Sequence, residues 1–272
     1  MLYTAAVSSR LAFIRPLSPS RVTPPRGDDW LHEPKWDGFR FQVIKNGSDV
    51  RLHSKSGAEY TDRLRGMRDA FGKLPTQSAI LDGELCLIDP RGGAHFWKLM
   101  AQMRTKWPEE DLLIFLAFDL LYQDGVDLRH LPLTERKRDL DRICRRTRNP
   151  FLRLIETFPD GEVLFDHCDR FGFEGIVSKR RAAPYASGPS RNWVKVKCPG
   201  WKRINAERRR VFETNAKPEL TETPKALKKK TAELARVRER LADPNLREGL
   251  AREFRKLAAG LEREIALLER GR

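Results

Sequence analysis

The chain has 272 residues, 40% of them hydrophobic, enough for one large domain or a core domain with an appendage, and this excludes a wholly disordered tail. No apolar run reaches the roughly 18 to 20 residues that cross a bilayer, so a membrane-spanning role is excluded as well. A formal charge of +15 and a pI near 10.0 make nucleic acid the first partner to consider, although charge alone reports affinity for anions and no chemistry.

In chain order, residues 1–27 form a lead-in segment with Arg10, Arg15, Arg21, Arg26 and no acid. That composition is shared with organelle transit peptides, but Pro16 and Pro19 would interrupt the amphipathic helix such a peptide needs. Residues 28–200 are expected to form the main domain. In it, "FRFQVIKNGSDVRLHS" sets two β-prone runs around Asn46-Gly47, a strong hairpin signal, and places Lys35 just ahead of the first strand. A helix is expected over residues 61–74, opened by Thr61 or Asp62. "SAILDGELCLID" reads as a strand ended by a turn at "DPRGG", and "AHFWKLMAQMR" as a helix. The unbroken apolar run "LLIFLAFDLLY" suits a strand buried on both faces. Thr134 and Asp160 are expected to cap two further helices, the second ending near Gly172; "GIVSKR" and "WVKVK" return to strand composition.

Past Gly200 the composition shifts. Residues 201–272 hold 20 basic and 12 acidic residues, a net +8, against +7 for the first 200. Leu246, Leu250, Phe254, Leu257, Leu261, Ile265 and Leu268 recur at steps of three and four, and Leu234, Val237 and Leu241 begin a similar stripe before "ADPN". A basic helical hairpin follows from that spacing. The cysteines, Cys86, Cys144, Cys168 and Cys198, form no C-x-x-C pair, which argues against a zinc knuckle or redox motif and fits a reducing cytosol.

Three groups of residues could carry chemistry. In "HEPKWDGFR", Trp36 and Phe39 offer Lys35 apolar cover, Gly38 permits close approach, and Arg40 is a fixed cation able to bind phosphate and depress the lysine's pKa. Such a setting can turn a lysine into a nucleophile, but a surface lysine in an Asp-Gly turn is equally common. In "DGE", Asp82 and Glu84 are two apart on a strand, so both carboxylates face one side and can meet a metal or a ribose. Lys195 and Lys197 share a strand face in the same way and can hold a polyphosphate, although a solvated basic strand is the commoner fate of K-x-K.

Taken together these residues bring out a family likeness. "KWDGFR" resembles the K-x-D-G-x-R signature of the covalent nucleotidyltransferases, the superfamily of ATP-dependent DNA ligases, RNA ligases and mRNA capping enzymes. "SKSG" at 54–57, "LDGELCLID", "AFDLLY", "EGIVSKR" and "WVKVK" are similar to the family's later motifs and arrive in the same order. Collinearity across residues 33–197 is what makes the resemblance specific, and it is nearest to bacterial end-joining ligases. It implies an α+β adenylation domain of antiparallel sheets packed with helices, in which Lys35 is the nucleophile that attacks ATP and carries AMP. It further implies Glu33 as the acid that helps recognise the purine, Phe118 as the ring under the base, Arg40, Lys55, Lys195 and Lys197 as nucleotide contacts, and Glu84 and Glu174 as nucleotide contacts that also hold Mg²⁺ or Mn²⁺. The implied function is ATP-dependent ligation of nicked or broken duplex DNA in repair and recombination, in a bacterial cytoplasm beside the nucleoid.

Departures from the pattern carry expectations of their own. Lys55 stands where the second motif usually has arginine, which keeps charge and loses bidentate grip. Pro189 occupies a position often basic in relatives, leaving Arg181 and Arg191 nearby. Residues 201–272 show helical periodicity where an OB-fold is the family's habit, so the expected extension is helical, without an OB-fold, and available to DNA or to a repair-protein partner. RNA ligation or capping is the alternative enzyme, and a catalytically weak DNA-end-binding scaffold the alternative of another class. NAD⁺ use is disfavoured because Tyr3 is the only tyrosine ahead of Lys35.

Overall fold

In the computed structural model, which describes residues 11–21, 24–88, 94–213, 224–242 and 248–270, the β-prone runs collect into two sheets. The strands are β1 (Leu17–Arg21), β2 (Trp30–Lys35), β3 (Phe39–Asn46), β4 (Asp49–Ser54), β5 (Ser78–Leu87), β6 (Leu113–Gln123), β7 (Val126–Asp127), β8 (Leu152–Leu154), β9 (Gly175–Arg180) and β10 (Gly188–Lys197). The helices are α1 (Arg65–Gly72), α2 (Phe96–Gln102), α3 (Leu133–Arg146), α4 (Gly161–Arg170), α5 (Pro199–Glu213), α6 (Pro224–Leu241) and α7 (Glu248–Arg270). One sheet has the order β1-β10-β9-β2 and the other β4-β3-β5-β6-β7, with β8 alongside β6. Pairing is antiparallel throughout except for β1 with β10 and β6 with β8.

Strand alternation sorts the side chains. On β5, Ala79, Leu81, Leu85 and Leu87 join Phe41, Val43 and Phe115 in an outer core beneath Met67 and Phe71 of α1, Leu99 of α2 and Leu140 and Ile143 of α3. Ile80 and Cys86, on the opposite face, join Ile44, Leu116 and Phe118 between the sheets, which puts Asp82 and Glu84 on that inner face too. Both faces of β6 are therefore covered, as its continuous apolar composition requires. The smaller sheet turns Ile176 and Val196 outward onto Leu164 and Cys168 of α4. Its inner face carries Glu33, Lys35, Lys179, Trp193, Lys195 and Lys197, aligned by the β2–β9 and β9–β10 registers.

Several local expectations are refined. Lys35 ends β2 in the smaller sheet, while the hairpin of β3 and β4 belongs to the larger one, so Trp36–Gly38 cross between sheets. The close approach at Gly38 is made by β5: a Cβ there would lie 2.4 Å from the carbonyl oxygen of Leu85. Neither Thr61 nor Asp62 opens α1. They sit in a 3₁₀ turn, and the carboxylate of Glu110 takes the Gly66 and Met67 N–H groups at 2.9 and 2.7 Å. A residue 44 positions away thus satisfies donors that local sequence left open. Thr134 does not cap its helix either, because α3 begins one residue earlier with Pro132 at the N-cap. Asp160 does cap α4, accepting from Glu162 and Val163 N–H at 3.0 Å each. The turn at "DPRGG", most of "ADPN" and Leu246 lie outside the described residues.

Every described residue beyond 201 is in a helix or its terminal turn. α5 follows β10 directly, and Trp97 of α2 donates its indole N–H to the Asn205 side chain at 3.1 Å. α6 and α7 pair through Leu234, Val237, Phe254, Ala258 and Leu261, and Phe254 seats the hairpin on Phe171 of the core, ring centres 5.2 Å apart. Among the described residues no helix is long and apolar enough to cross a membrane.

One buried ion pair joins α3 to β6. Arg136 meets both carboxylate oxygens of Asp119 at 2.8 Å, both side chains fully buried, and donates to the Leu131 and Ala183 carbonyls. Arg136→Met leaves Asp119 buried and unpaired, and is expected to cost about 3–5 kcal/mol of stability in denaturant titration.

Candidate functional site

The crossover at Trp36–Gly38 delivers Lys35 to one end of the space between the sheets. Its ammonium hydrogen-bonds Glu174 Oε2, and the other oxygen of Glu174 lies 2.7 Å from the Lys197 ammonium. Glu174 is 6% exposed, so one buried carboxylate is shared by two lysines from different strands. Gly175 makes that placement possible. Its φ is +153°, and a Cβ would sit 1.9 Å from the Val196 carbonyl oxygen. Lys195 stands two residues before Lys197 on the same face of β10, opposite Val177.

The larger sheet supplies Glu84 from β5. Burial is the main influence on its carboxyl, and although Lys35 and Arg40 favour the charged form, the repulsion of Glu174 and Asp82 adds to burial and pushes it up to about 7. Asp82, its neighbour on the same face, is already committed. Arg40 grips it with Nε at 3.0 Å and a terminal nitrogen at 2.6 Å, and the Tyr185 hydroxyl donates to it at 2.7 Å. Burial opposes the charge of Arg40, but Asp82 outweighs it and holds the guanidinium above its ordinary pKa. The expected facing of Asp82 and Glu84 is therefore observed, while the two acids have different partners.

Farther along β2, Glu33 is 2% exposed and paired with two lysines, Lys179 of β9 at 2.6 Å and Lys137 of α3. Lys179 also lies over the rings of Phe118 and Trp193, at 4.2 and 4.0 Å from their centres. Desolvation lowers its pKa to about 8 against the pull of Glu33. Phe118 and Trp193 pack edge to face across the gap at 5.7 Å, with Arg40 on the same pair of rings, so this cluster joins the two sheets.

Of the residues singled out from sequence, Lys35, Glu174 and Lys197 are joined directly by ion pairs, Lys195 shares the face of Lys35 and Lys197, Glu84 feels the charges of Lys35 and Glu174 from the larger sheet, and Glu33, Arg40 and Phe118 lie in the same layer. Lys55 stands apart on an exposed turn after β4. Sequence reasoning gave no part to Lys137, Lys179, Tyr185, Trp193 or Trp201. Lys179 could have been found by counting two by two from Gly175. Lys137 and Tyr185 reach the layer only through tertiary contacts and carry no local signal.

With this geometry in view, comparison with known proteins is informative. A family model described as the ATP dependent DNA ligase domain matches residues 18–197. The chain belongs to the ATP-dependent DNA ligase domain family. It is 33% identical over 177 residues to the multifunctional non-homologous end joining protein LigD of Pseudomonas aeruginosa, covering 64% of this chain and 21% of that protein. It is 36% identical over 205 residues to a probable DNA ligase of Rhodococcus jostii, covering 71% of this chain and 40% of that one. A solved structure of mycobacterial DNA ligase D complexed with ATP and MES superposes with a TM-score of 0.58 at 29% identity, over 68% of this chain and 60% of that chain. The matched part thus spans about a fifth to two fifths of these two curated relatives.

The raised carboxyl of Glu84 carries a pH signature. Below about pH 4.5 both the folded and unfolded chains hold its proton, so it contributes nothing. Between about 4.5 and about 7 the unfolded chain ionises first, and stability falls as pH rises. Glu84→Gln is expected to remove this loss, matching the wild type near pH 4 and exceeding it by on the order of 3 kcal/mol at pH 8 in urea titrations.

Proposed function

We propose that this chain is the adenylation module of an ATP-dependent DNA ligase that joins duplex DNA ends or nicks in repair and recombination, in a bacterial cytoplasm beside the nucleoid. The observation that carries the reading is the Lys35–Glu174–Lys197 cluster, two lysines held on one buried carboxylate inside a ligase-family domain, which supports reading them as nucleophile and phosphate-binding cation. Lys35 Nζ attacks the α-phosphorus of ATP, forming a P–N bond as the bond to pyrophosphate breaks. Glu174, hydrogen-bonded to that nitrogen, is positioned to hold the proton it sheds. Lys195 and Lys197 neutralise the phosphates as charge develops. Lys35-bound AMP then passes to a DNA 5′-phosphate, and the 3′-hydroxyl of the neighbouring strand displaces it.

Deeper in the site, Phe118 offers a ring to the base and Glu33, oriented by Lys137 and Lys179, an acceptor for the purine's exocyclic amine. Arg40 supports this wall by fixing Asp82 and Tyr185. Lys55 would reach the ribose or phosphates from its exposed turn. The residues also fit a divalent cation. Glu84 ionises reluctantly because it is buried, and the charge of Glu174 adds to that effect. Mg²⁺ or Mn²⁺, which Glu84 and Glu174 would hold, would supply charge neutralisation for the phosphates.

The direct test is sealing of nicked duplex DNA with ATP and Mg²⁺ or Mn²⁺. Wild type is expected to seal, and Lys35→Ala to fall by at least about a thousandfold, the scale expected when a covalent nucleophile is removed. Sealing that survives in Lys35→Ala contradicts the reading, and preference for GTP or RNA ends redirects it to capping or RNA ligation. The basic hairpin of α6 and α7 is assigned to DNA. Deleting residues 218–272 is expected to weaken duplex binding and flatten its salt dependence, whereas unchanged affinity would assign the hairpin to a repair-protein partner.

A further inference from the structure

The family match ends at Lys197, yet the next helix reaches back into the site. Trp201, in the first turn of α5, lies beneath the Lys197 ammonium, which is 4.3 Å from the indole ring centre. The indole packs into the cluster of Leu164, Cys168, Ile176 and Cys198. Its N–H is buried and finds no hydrogen-bond partner among the described residues, and with the ammonium lying over the ring it is the π face that meets Lys197. The helix is itself anchored at two points. Asp169 of α4 accepts the Gly200 N–H at 3.1 Å at the start of α5, and Asn205, one turn on, accepts from Trp97 of α2. α5 therefore bridges helices that back different sheets, at the end of the gap where Lys35 lies.

We infer that Trp201 is a positioning residue for the nucleotide's phosphates: it fixes Lys197 beside Glu174, and α5 thereby completes the adenylation site. Lys197 is only partly covered, with a side chain 35% exposed, and a long aliphatic stem held by a single ion pair would sample many rotamers. The indole restricts them from one side while Glu174 restricts them from the other. A phosphate oxygen arriving at the site then meets an ammonium already in place, and less conformational freedom is lost on binding. The adenosine end of the ligand, assigned to Phe118 and Glu33, makes no use of Lys197 and is expected to be indifferent to Trp201.

This inference rests on the reading of Lys197 as a phosphate contact, and equilibrium binding separates it from the reading of Lys35 as nucleophile. The probes are α,β-methylene-ATP, which cannot transfer AMP, and adenosine. Trp201→Leu is expected to weaken α,β-methylene-ATP by about five- to thirtyfold, the range of a partly desolvated cation–π contact, and to leave adenosine unchanged. Trp201→Phe keeps a ring and should recover most of the loss. Circular dichroism and thermal melts identify any variant that fails to fold, in which case Trp201→Phe against wild type decides alone by a smaller loss confined to the triphosphate analogue. Equal loss for both ligands would overturn the inference, as would no loss for either. Phosphate-selective loss in a protein that never forms the lysine adduct would sustain the inference and reject the ligase reading.

Discussion

The proposed adenylation site depends on one physical arrangement, the carboxylate of Glu174 shared by Lys35 and Lys197. Buried charge is costly unless paired, and here one acid compensates two cations that arrive from β2 and β10. The pairing draws together the ends of two strands that are not neighbours, since β9 lies between them. Gly175 is the backbone condition for it, because any side chain there would collide with β10. A nucleotide phosphate brings negative charge of its own, so the two ammonium groups need not lose compensation when it binds.

The same logic repeats through the layer between the sheets. Arg40 with Asp82, and Glu33 with Lys137 and Lys179, are further charged groups withdrawn from water and matched with opposite partners. Phe118 and Trp193 lie among these cations and carry the contact from one sheet to the other. Glu84 is buried in the same layer, and burial raises its pKa despite the nearby charges of Lys35 and Arg40. A layer this rich in cations suits a polyphosphate ligand.

Much of this was readable from residues alone, for identifiable reasons. Strand alternation put Asp82 and Glu84 on one face and Lys195 and Lys197 on another, because a period of two survives any tertiary arrangement. The apolar stripes of α6 and α7 predicted their hairpin just as directly. What could not be read was pairing at long range. Arg40 was expected to act on phosphate or on Lys35, yet its guanidinium is bound to Asp82, 42 residues away. Glu110 opening α1, and Lys137 reaching Glu33 from α3, are equally invisible to a local window. The misassigned cap at Thr134 is a different failure, in which Pro132 set the start of the helix earlier than the hydroxyl suggested.

The extension beyond Lys197 is better described as two parts. α5 is fastened to α2 and α4 and touches the site through Trp201, whereas α6 and α7 form a hairpin with its own apolar seam resting on Phe171. The central claim nevertheless concerns one atom, Lys35 Nζ. Tandem mass spectrometry of the wild-type protein after incubation with ATP and Mg²⁺, digested under conditions that preserve the P–N bond, tests it most directly. The account predicts AMP on the peptide containing Lys35 and on that lysine alone. AMP on any other lysine, or an unmodified Lys35 after prolonged incubation, would contradict it.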